Sequence, residues 1–317
     1  MTTPVLSLND LTVPKPSGLP GASVTQNRHI AIFSDFDGTI FHQDTGHVLF
    51  DRFGCGEKRR EELDGSIGKT RSFREASEEM WGSLNVTLEE GLKALKENLV
   101  LDQDFKPFLE YCEAHNIPFS VISAGLKPLL RGALDAFLGP ERSSTINIVS
   151  NDADIQGTKW KPVWRHDSEL GHDKARSIRE FKESAAGEND PLIVFIGDGV
   201  SDLAAASQAD ILFARRGLKL EEYCIEHQIP YIPYDSFKDV QVDIKSLVRG
   251  NPFHDPDFES NASSTASSEM NSPIVYGPAT PAVELPKNPM SGRPVTMRTI
   301  SERSVGERPG NVDLHVA

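Results

Sequence analysis

Three cysteines in 317 residues, Cys55, Cys112 and Cys224, form no CxxC pair and leave one over from any pairing. A disulfide scaffold and a cysteine-based zinc site are therefore not expected. Positive charge is also short, with 33 Lys and Arg against 47 Asp and Glu and a formal net charge of -14. Nucleic acids and anionic membranes need a basic face, so neither is expected as a partner. No apolar run reaches the roughly 20 residues that span a bilayer, and the opening "MTTPVLSLNDLTVPKPSG" does not read as a secretory leader. The expected location is a reducing, intracellular one: the cytoplasm, with the nucleus as a second compartment. A hydrophobic content of 38% is still compatible with a real core.

Residues 1–27 scatter proline and glycine without periodicity and read as a flexible leader. From 251 to 317 the text turns to Ser, Ala, Pro and Asn, as in "SNASSTASSEMNSP", with too few large apolar side chains to offset the entropy of ordering it. This tail is expected to be disordered, and "RTIS" ending at Ser301 marks where a kinase or an unknown partner would act on it. Between these limits the apolar runs "HIAIFS", "IPFSVIS", "INIVSN", "LIVFIG" and "DILFA" alternate with segments of helical character. Such alternation predicts an α/β fold, a Rossmann-like, doubly wound parallel sheet covered on both faces. The interval 47–104 has no strand-like run, and Phe73, Met80 and Leu84 recur at helical spacing. It reads as a helical insertion after the first strand, dividing a domain at 28–250 into a core (28–46 and 105–250) and an insert.

Three runs end in chemically useful text: "SDFDGT", "SAG" and "GDGVSD". In a doubly wound sheet these strand ends meet at one edge, where ligands bind. Asp35, Asp37, Asp198 and Asp202 would repel one another there unless a cation sat among them, and hard oxygen ligands favour magnesium. Lys174, in "GHDKARSIREF", can hold an anion beside that cation, with Ser123 and the amides around Gly125 as hydrogen-bond donors.

"DFDGT", a strand ending in Ser123, Lys174 and "GDGVSD", in that order, resemble the four motifs of the haloacid dehalogenase superfamily of aspartate-nucleophile phosphatases. The resemblance runs over residues 29–245, and the insert is similar to the small helical cap of the phosphoserine-phosphatase-like branch. More narrowly, "GHDKARSI", "GDGVSDLAAA" and "LFARRG" resemble fungal phosphatases of that branch, a polyol-phosphate phosphatase and relatives labelled from methionine salvage among them. The resemblance implies Asp35 as nucleophile and Asp37 as the acid and base. It implies magnesium on Asp35, the main-chain carbonyl of Asp37 and Asp198, with Asp202 orienting the site. Ser123, Gly125, Lys174 and Thr39 would bind phosphate, and Gly38 would shape the loop. An aspartate at 37 separates this chain from the dehalogenases and the ion pumps of the superfamily, and implies rapid hydrolysis of an aspartyl-phosphate.

Other motifs carry less. "GSIGKT" lacks the first glycine of a P-loop, because Leu63 stands in its place. His166 and His172 lack further zinc ligands and read as surface or supporting groups. For the substrate, Asp44 falls where phosphoserine phosphatases bind the amino group, but Glu78 and Glu79 stand where an arginine for the carboxylate is expected, with Arg71 and Arg74 nearby. His42, Asp44 and Glu78 are the candidates for choosing the substrate, and they suit a neutral polyhydroxy group. The expected partner is a small phosphorylated metabolite, a sugar-alcohol phosphate first. Phosphoserine and a phosphorylated diketone of methionine salvage are the alternatives, and a non-enzymatic interaction module is the remaining one.

Overall fold

Segments of three to ten residues become the strands of one sheet in the computed structural model, which describes residues 29–185 and 191–248. The expected leader and tail, Ser301 included, lie outside the described residues. Strand β1 (Ile30–Ser34) pairs in parallel with β2 (Phe119–Leu126) on one side and β5 (Leu192–Gly197) on the other. Beyond β2 come β3 (Asn147–Gln156) and the antiparallel edge strand β4 (Lys159–Val163), and beyond β5 come β6 (Ile211–Arg215) and β7 (Ile232–Tyr234). The spatial order is β4-β3-β2-β1-β5-β6-β7, parallel everywhere except between β3 and β4.

Side chains alternate across the sheet, and each face carries its own core. Ile32, Val194, Ile196 and Phe213 point to one, while Ala31, Phe33, Ile193 and Phe195 point to the other. Every residue of β5 is buried, as continuous apolar text in a doubly covered sheet requires.

The interval after β1 is helical: α1 (Thr45–Phe53), α2 (Glu57–Asp64), α3 (Phe73–Gly82) and α4 (Leu88–Asn98). It begins at Thr45, two residues before the expected boundary, because Asp44 caps α1 by accepting from the His47 amide at 2.8 Å. Ser72 with Glu75, and Thr87 with Glu90, form capping boxes that start α3 and α4. The core helices are α5 (Phe105–Ala114), α6 (Lys127–Leu138), α7 (Pro140–Thr145), α8 (Lys174–Ala185), the short α9 (Leu203–Ala206), α10 (Lys219–His227) and α11 (Phe237–Val248). No helix among the described residues is long and apolar enough to cross a membrane.

Strands β4 and β7 were not expected. In β4 only Trp160 and Pro162 are buried, so "KWKPV" carries too little apolar text to stand out, and its proline is tolerated because the strand lies at the sheet edge. The β3–β4 hairpin nevertheless ties the insert to the sheet. The Trp160 indole is 4% exposed and donates to the Val86 carbonyl at 2.8 Å, while its ring stacks on Trp81, which packs edge-on against Phe50.

Truncating Trp160 to Ala empties this junction and is expected to cost about 3–5 kcal/mol. Trp160→Phe keeps most of the ring but leaves a buried carbonyl unpaired, for about 1–3 kcal/mol. Urea denaturation of the two variants checks both values and their order.

Candidate active site

The chain leaves β1 toward β2 on one side and returns into β5 on the other, so the crevice between the carboxyl ends of β1 and β5 is the topological switch point. Asp35 follows β1 and Asp198 follows β5. Their carboxylates and that of Asp202 offer oxygen atoms within 4.8 Å of one another. Lys174, the first residue of α8, reaches into this group with Nζ 2.9 Å from Asp35 Oδ1 and 2.7 Å from Asp202 Oδ1. Asp202 is fully buried, and its other oxygen accepts the Asp198 and Gly199 amides, both at 3.1 Å.

Three carboxylates around one ammonium leave an excess of negative charge in a place with little water. Burial and then the charge of Asp202 push the Asp35 carboxyl well above the usual range. The same two causes push Asp198 up to about 7. Burial alone would lower the Lys174 ammonium, but Asp202 and Asp35 outweigh it and its affinity for the proton is raised. Burial is the first cause of both carboxyl shifts and the charge of Asp202 adds to it, while the three carboxylates supply the hard oxygen donors that a divalent cation takes. The residues present therefore fit magnesium.

Asp37 sits apart from this group. Its carboxylate accepts the Thr45 amide at 2.8 Å and the Thr45 hydroxyl at 3.3 Å, and burial followed by the charge of Asp44 pushes it up to about 8. A carboxyl that keeps its proton near neutrality is suited to protonating a leaving group. The turn that follows Asp37 requires Gly38, whose φ is +75° and where a Cβ would clash with the Asp198 carboxylate.

Thr39 departs from its expected place. It is fully buried, donates to Asp198 Oδ1 at 2.7 Å and is not part of the cavity lining, so its hydroxyl serves the carboxylate instead of a phosphate. Ser123 and Gly125 do line the cavity, and the Gly125 amide donates to Ser123 Oγ at 3.0 Å.

The cavity of about 200 Å³ runs from these groups to the insert, where Phe50, Phe73, Met80 and Trp81 form an apolar wall beside Asp44, His47, Asp64 and Ser77. Of the expected substrate-selecting residues, only Asp44 faces it. His42 is exposed and outside it; Glu78 is exposed and accepts the Trp164 indole N–H at 2.7 Å. Arg71 is paired with Glu79, and Arg74 with Glu78 and Asp167, so neither arginine lines the cavity.

The sequence did not show what several supporting residues hold. Arg215, buried at the end of β6, donates to the Gly38 and Thr39 carbonyls at 2.9 and 3.1 Å and to Asp102 at 2.5 Å, fixing the turn that carries Asp37. His166 and His172, expected as surface or supporting groups, are 6% and 3% exposed and stand behind the cavity. Burial pushes the His172 imidazole down to about 3.

Two outcomes follow from these placements. Gly38→Ala forces a strained backbone against Asp198 and is expected to cost about 1–3 kcal/mol of stability, measured by denaturant titration. The folded chain holds His172 neutral while the unfolded chain protonates it near its ordinary value, so this stability is complete above about pH 6.5. It is lost as pH falls toward about 3, by at most about 1.4 kcal/mol per pH unit. Urea midpoints taken from about pH 7 to pH 4 should fall more steeply for the wild type than for His172→Asn; equal slopes would contradict the assignment.

Residues 32–207 match the family described as haloacid dehalogenase-like hydrolase. The chain is 38% identical over 230 residues to Pdp3-interacting factor 1 of Schizosaccharomyces pombe, covering 71% of this chain and 98% of that protein. It is 38% identical over 226 residues to the polyol phosphate phosphatase PYP1 of Saccharomyces cerevisiae, covering 69% of this chain and 94% of that one. A 2-hydroxy-3-keto-5-methylthiopentenyl-1-phosphate phosphatase of Bacillus cereus is 30% identical over 227 residues, 69% of this chain and 97% of the other. Among solved structures, a phosphoserine phosphatase with a phospho-aspartyl intermediate analogue shares the fold at 12% identity and a TM-score of 0.51, over 71% of this chain and all of that one. The sheet, the order of the motifs at its edge and these relatives agree: the chain belongs to the haloacid dehalogenase-like hydrolase family and is a phosphatase.

Proposed function

We propose that this phosphatase hydrolyses the phosphate monoester of a small neutral polyol, through an aspartyl-phosphate on Asp35 and with magnesium as cofactor. The observation that carries the substrate reading is the insert's face of the cavity, which supplies Asp44, His47, Asp64 and Ser77 but no lysine or arginine. Hydroxyl groups can donate to those carboxylates, whereas the carboxylate of phosphoserine would meet Asp44 and Asp64, and the basic groups beside them, His47 and Arg60, are already paired with these acids. The similarity to a polyol phosphate phosphatase supports the same choice.

Asp35 Oδ1 is held by the Phe36 amide at 2.7 Å and by Lys174, which leaves Oδ2 to attack phosphorus. Asp37 gives its proton to the departing alkoxide, and as a carboxylate it then takes one from the water that cleaves the acyl-phosphate. Ser123, the amides near Gly125 and Lys174 hold the phosphoryl oxygens. Magnesium, when bound by Asp35, Asp198 and the Asp37 carbonyl with Asp202 alongside, would offset the charge of the transferring group. A second reading follows from Phe50, Phe73, Met80 and Trp81, which could accept a methylthio group such as the Bacillus relative's substrate carries.

Phosphate release over short sugar-alcohol phosphates, phosphoserine and a methylthiopentenyl phosphate, with and without magnesium, tests the proposal. The expected result is metal-dependent turnover, kcat/KM for the best polyol ester at least about tenfold above phosphoserine, and a loss of about 10⁴-fold or more in Asp35→Asn. Preference for the methylthio ester would select the second reading, and full activity in Asp35→Asn would overturn the mechanism.

A further inference from the structure

Behind the cavity, a closed ring of hydrogen bonds grips the loop that carries Ser123. The Ser123 carbonyl lies 2.6 Å from His172 Nδ1, and the Ala124 carbonyl accepts from Asn151 Nδ2 at 2.8 Å. Asn151 Oδ1 accepts the Arg165 amide at 3.0 Å, and Arg165 Nε donates to Ser177 Oγ at 3.1 Å. Ser177 Oγ is in turn 2.9 Å from His172 Nε2, which completes the circuit.

The chemistry of the members fixes the direction of each bond. A carbonyl only accepts, so His172 carries its proton on Nδ1 and offers Nε2 as an acceptor. Arg165 only donates, so Ser177 accepts from Arg165 and turns its own proton toward Nε2. His172, Ser177 and Asn151 are all buried, and none of the ring's side chains lines the cavity. Because the peptides are trans, a carbonyl held from behind aims the next residue's amide the opposite way. The Ala124 amide therefore points away from His172, and the Gly125 amide, which donates to Ser123 Oγ at 3.0 Å, orients that hydroxyl.

We propose that His172 is a positioning residue for phosphoryl binding: as the Nδ1–H tautomer, held by Ser177 and Arg165, it sets the Ser123–Ala124 peptide so that the loop's donors converge on the phosphoryl oxygens. This rests on the reading that the Ser123 loop holds the phosphoryl group. Only the Nδ1 side of the ring has to donate to the loop, and that makes the role separable from packing. An asparagine can place its amide N–H where Nδ1 stands, a glutamine reaches only to Nε2, and a leucine fills the space without a donor.

The test uses the full-length chain with magnesium, inorganic phosphate as a competitive probe, and a polyol ester as substrate. His172→Leu and His172→Gln are expected to weaken phosphate inhibition and raise KM by about tenfold or more, the cost of a misaligned donor set. His172→Asn is expected to recover most of that loss. Losses that follow melting temperature across the three variants, with phosphate inhibition unchanged, would overturn the proposal. Should the leucine variant not fold, Ser177→Ala decides: a loss of about threefold or more in phosphate affinity supports the relay, and none overturns it. Ser123→Ala separates the two claims. Weakened phosphate binding there but not in His172→Leu overturns the proposal alone; unchanged binding in Ser123→Ala overturns the loop assignment and the proposal with it.

Discussion

One ammonium faces three carboxylates at the switch point of the sheet, and much of the surrounding structure serves that imbalance. Asp35 and Asp198 arrive there because β1 and β5 are neighbours that end together. Asp202 is drawn in by the amides of residues 198 and 199, and Lys174 is driven to the centre by the helix that begins with it. The turn at Gly38 can approach Asp198 only because it lacks a side chain. Arg215 holds that turn from below through two carbonyls and is itself anchored on Asp102. Repulsion of this kind costs stability in the folded state, and it is tolerated where a cation or a phosphoryl group is to be bound.

Distance from this centre divides the labour of the molecule. The core supplies the cluster of carboxylates and Lys174, while the insert supplies shape: an apolar wall on α1 and α3 and acidic groups at the ends of α1 and α2. The β3–β4 hairpin joins the two parts through Trp160, and the stretch that follows it continues the contact. Trp164 donates to Glu78, and the Arg74 amide donates to the Glu169 carbonyl at 2.8 Å. That same stretch ends at His172 and Lys174, so the segment that touches the insert also carries the side chains that hold the Ser123 loop and Asp35.

The polar residues beyond strand ends were legible in the sequence because an apolar run that stops at Asp, Ser or Gly marks both a strand and its exit. Asp35, Asp37 and Asp198 stand just past such ends, Ser123 stands where the regular pairing of β2 with β3 is interrupted after Ile122, and the doubly wound order brings them together. What a spacing cannot give is the direction of a side chain within a turn. Thr39 is turned toward Asp198, His42 faces solvent and Glu78 caps an indole, so three plausible neighbours of the substrate lie elsewhere. Arg215 lies within "LFARRG", but nothing local marked its role, since its partners Asp102 and Gly38 lie 113 and 177 residues away. Strand β4 was hidden for a different reason: edge position and alternation leave only Trp160 and Pro162 to bury.

The carboxylate cluster as a cation site is tested most directly by thermal unfolding of the wild type and Asp198→Asn across a magnesium titration. A cation that binds the folded chain raises the melting temperature with its concentration. The structure predicts a rise for the wild type and little or none for Asp198→Asn, together with a metal-free variant at least as stable as the metal-free wild type because one buried repulsion is gone. A melting temperature insensitive to magnesium in both proteins, with Asp198→Asn the less stable of the two, would contradict it.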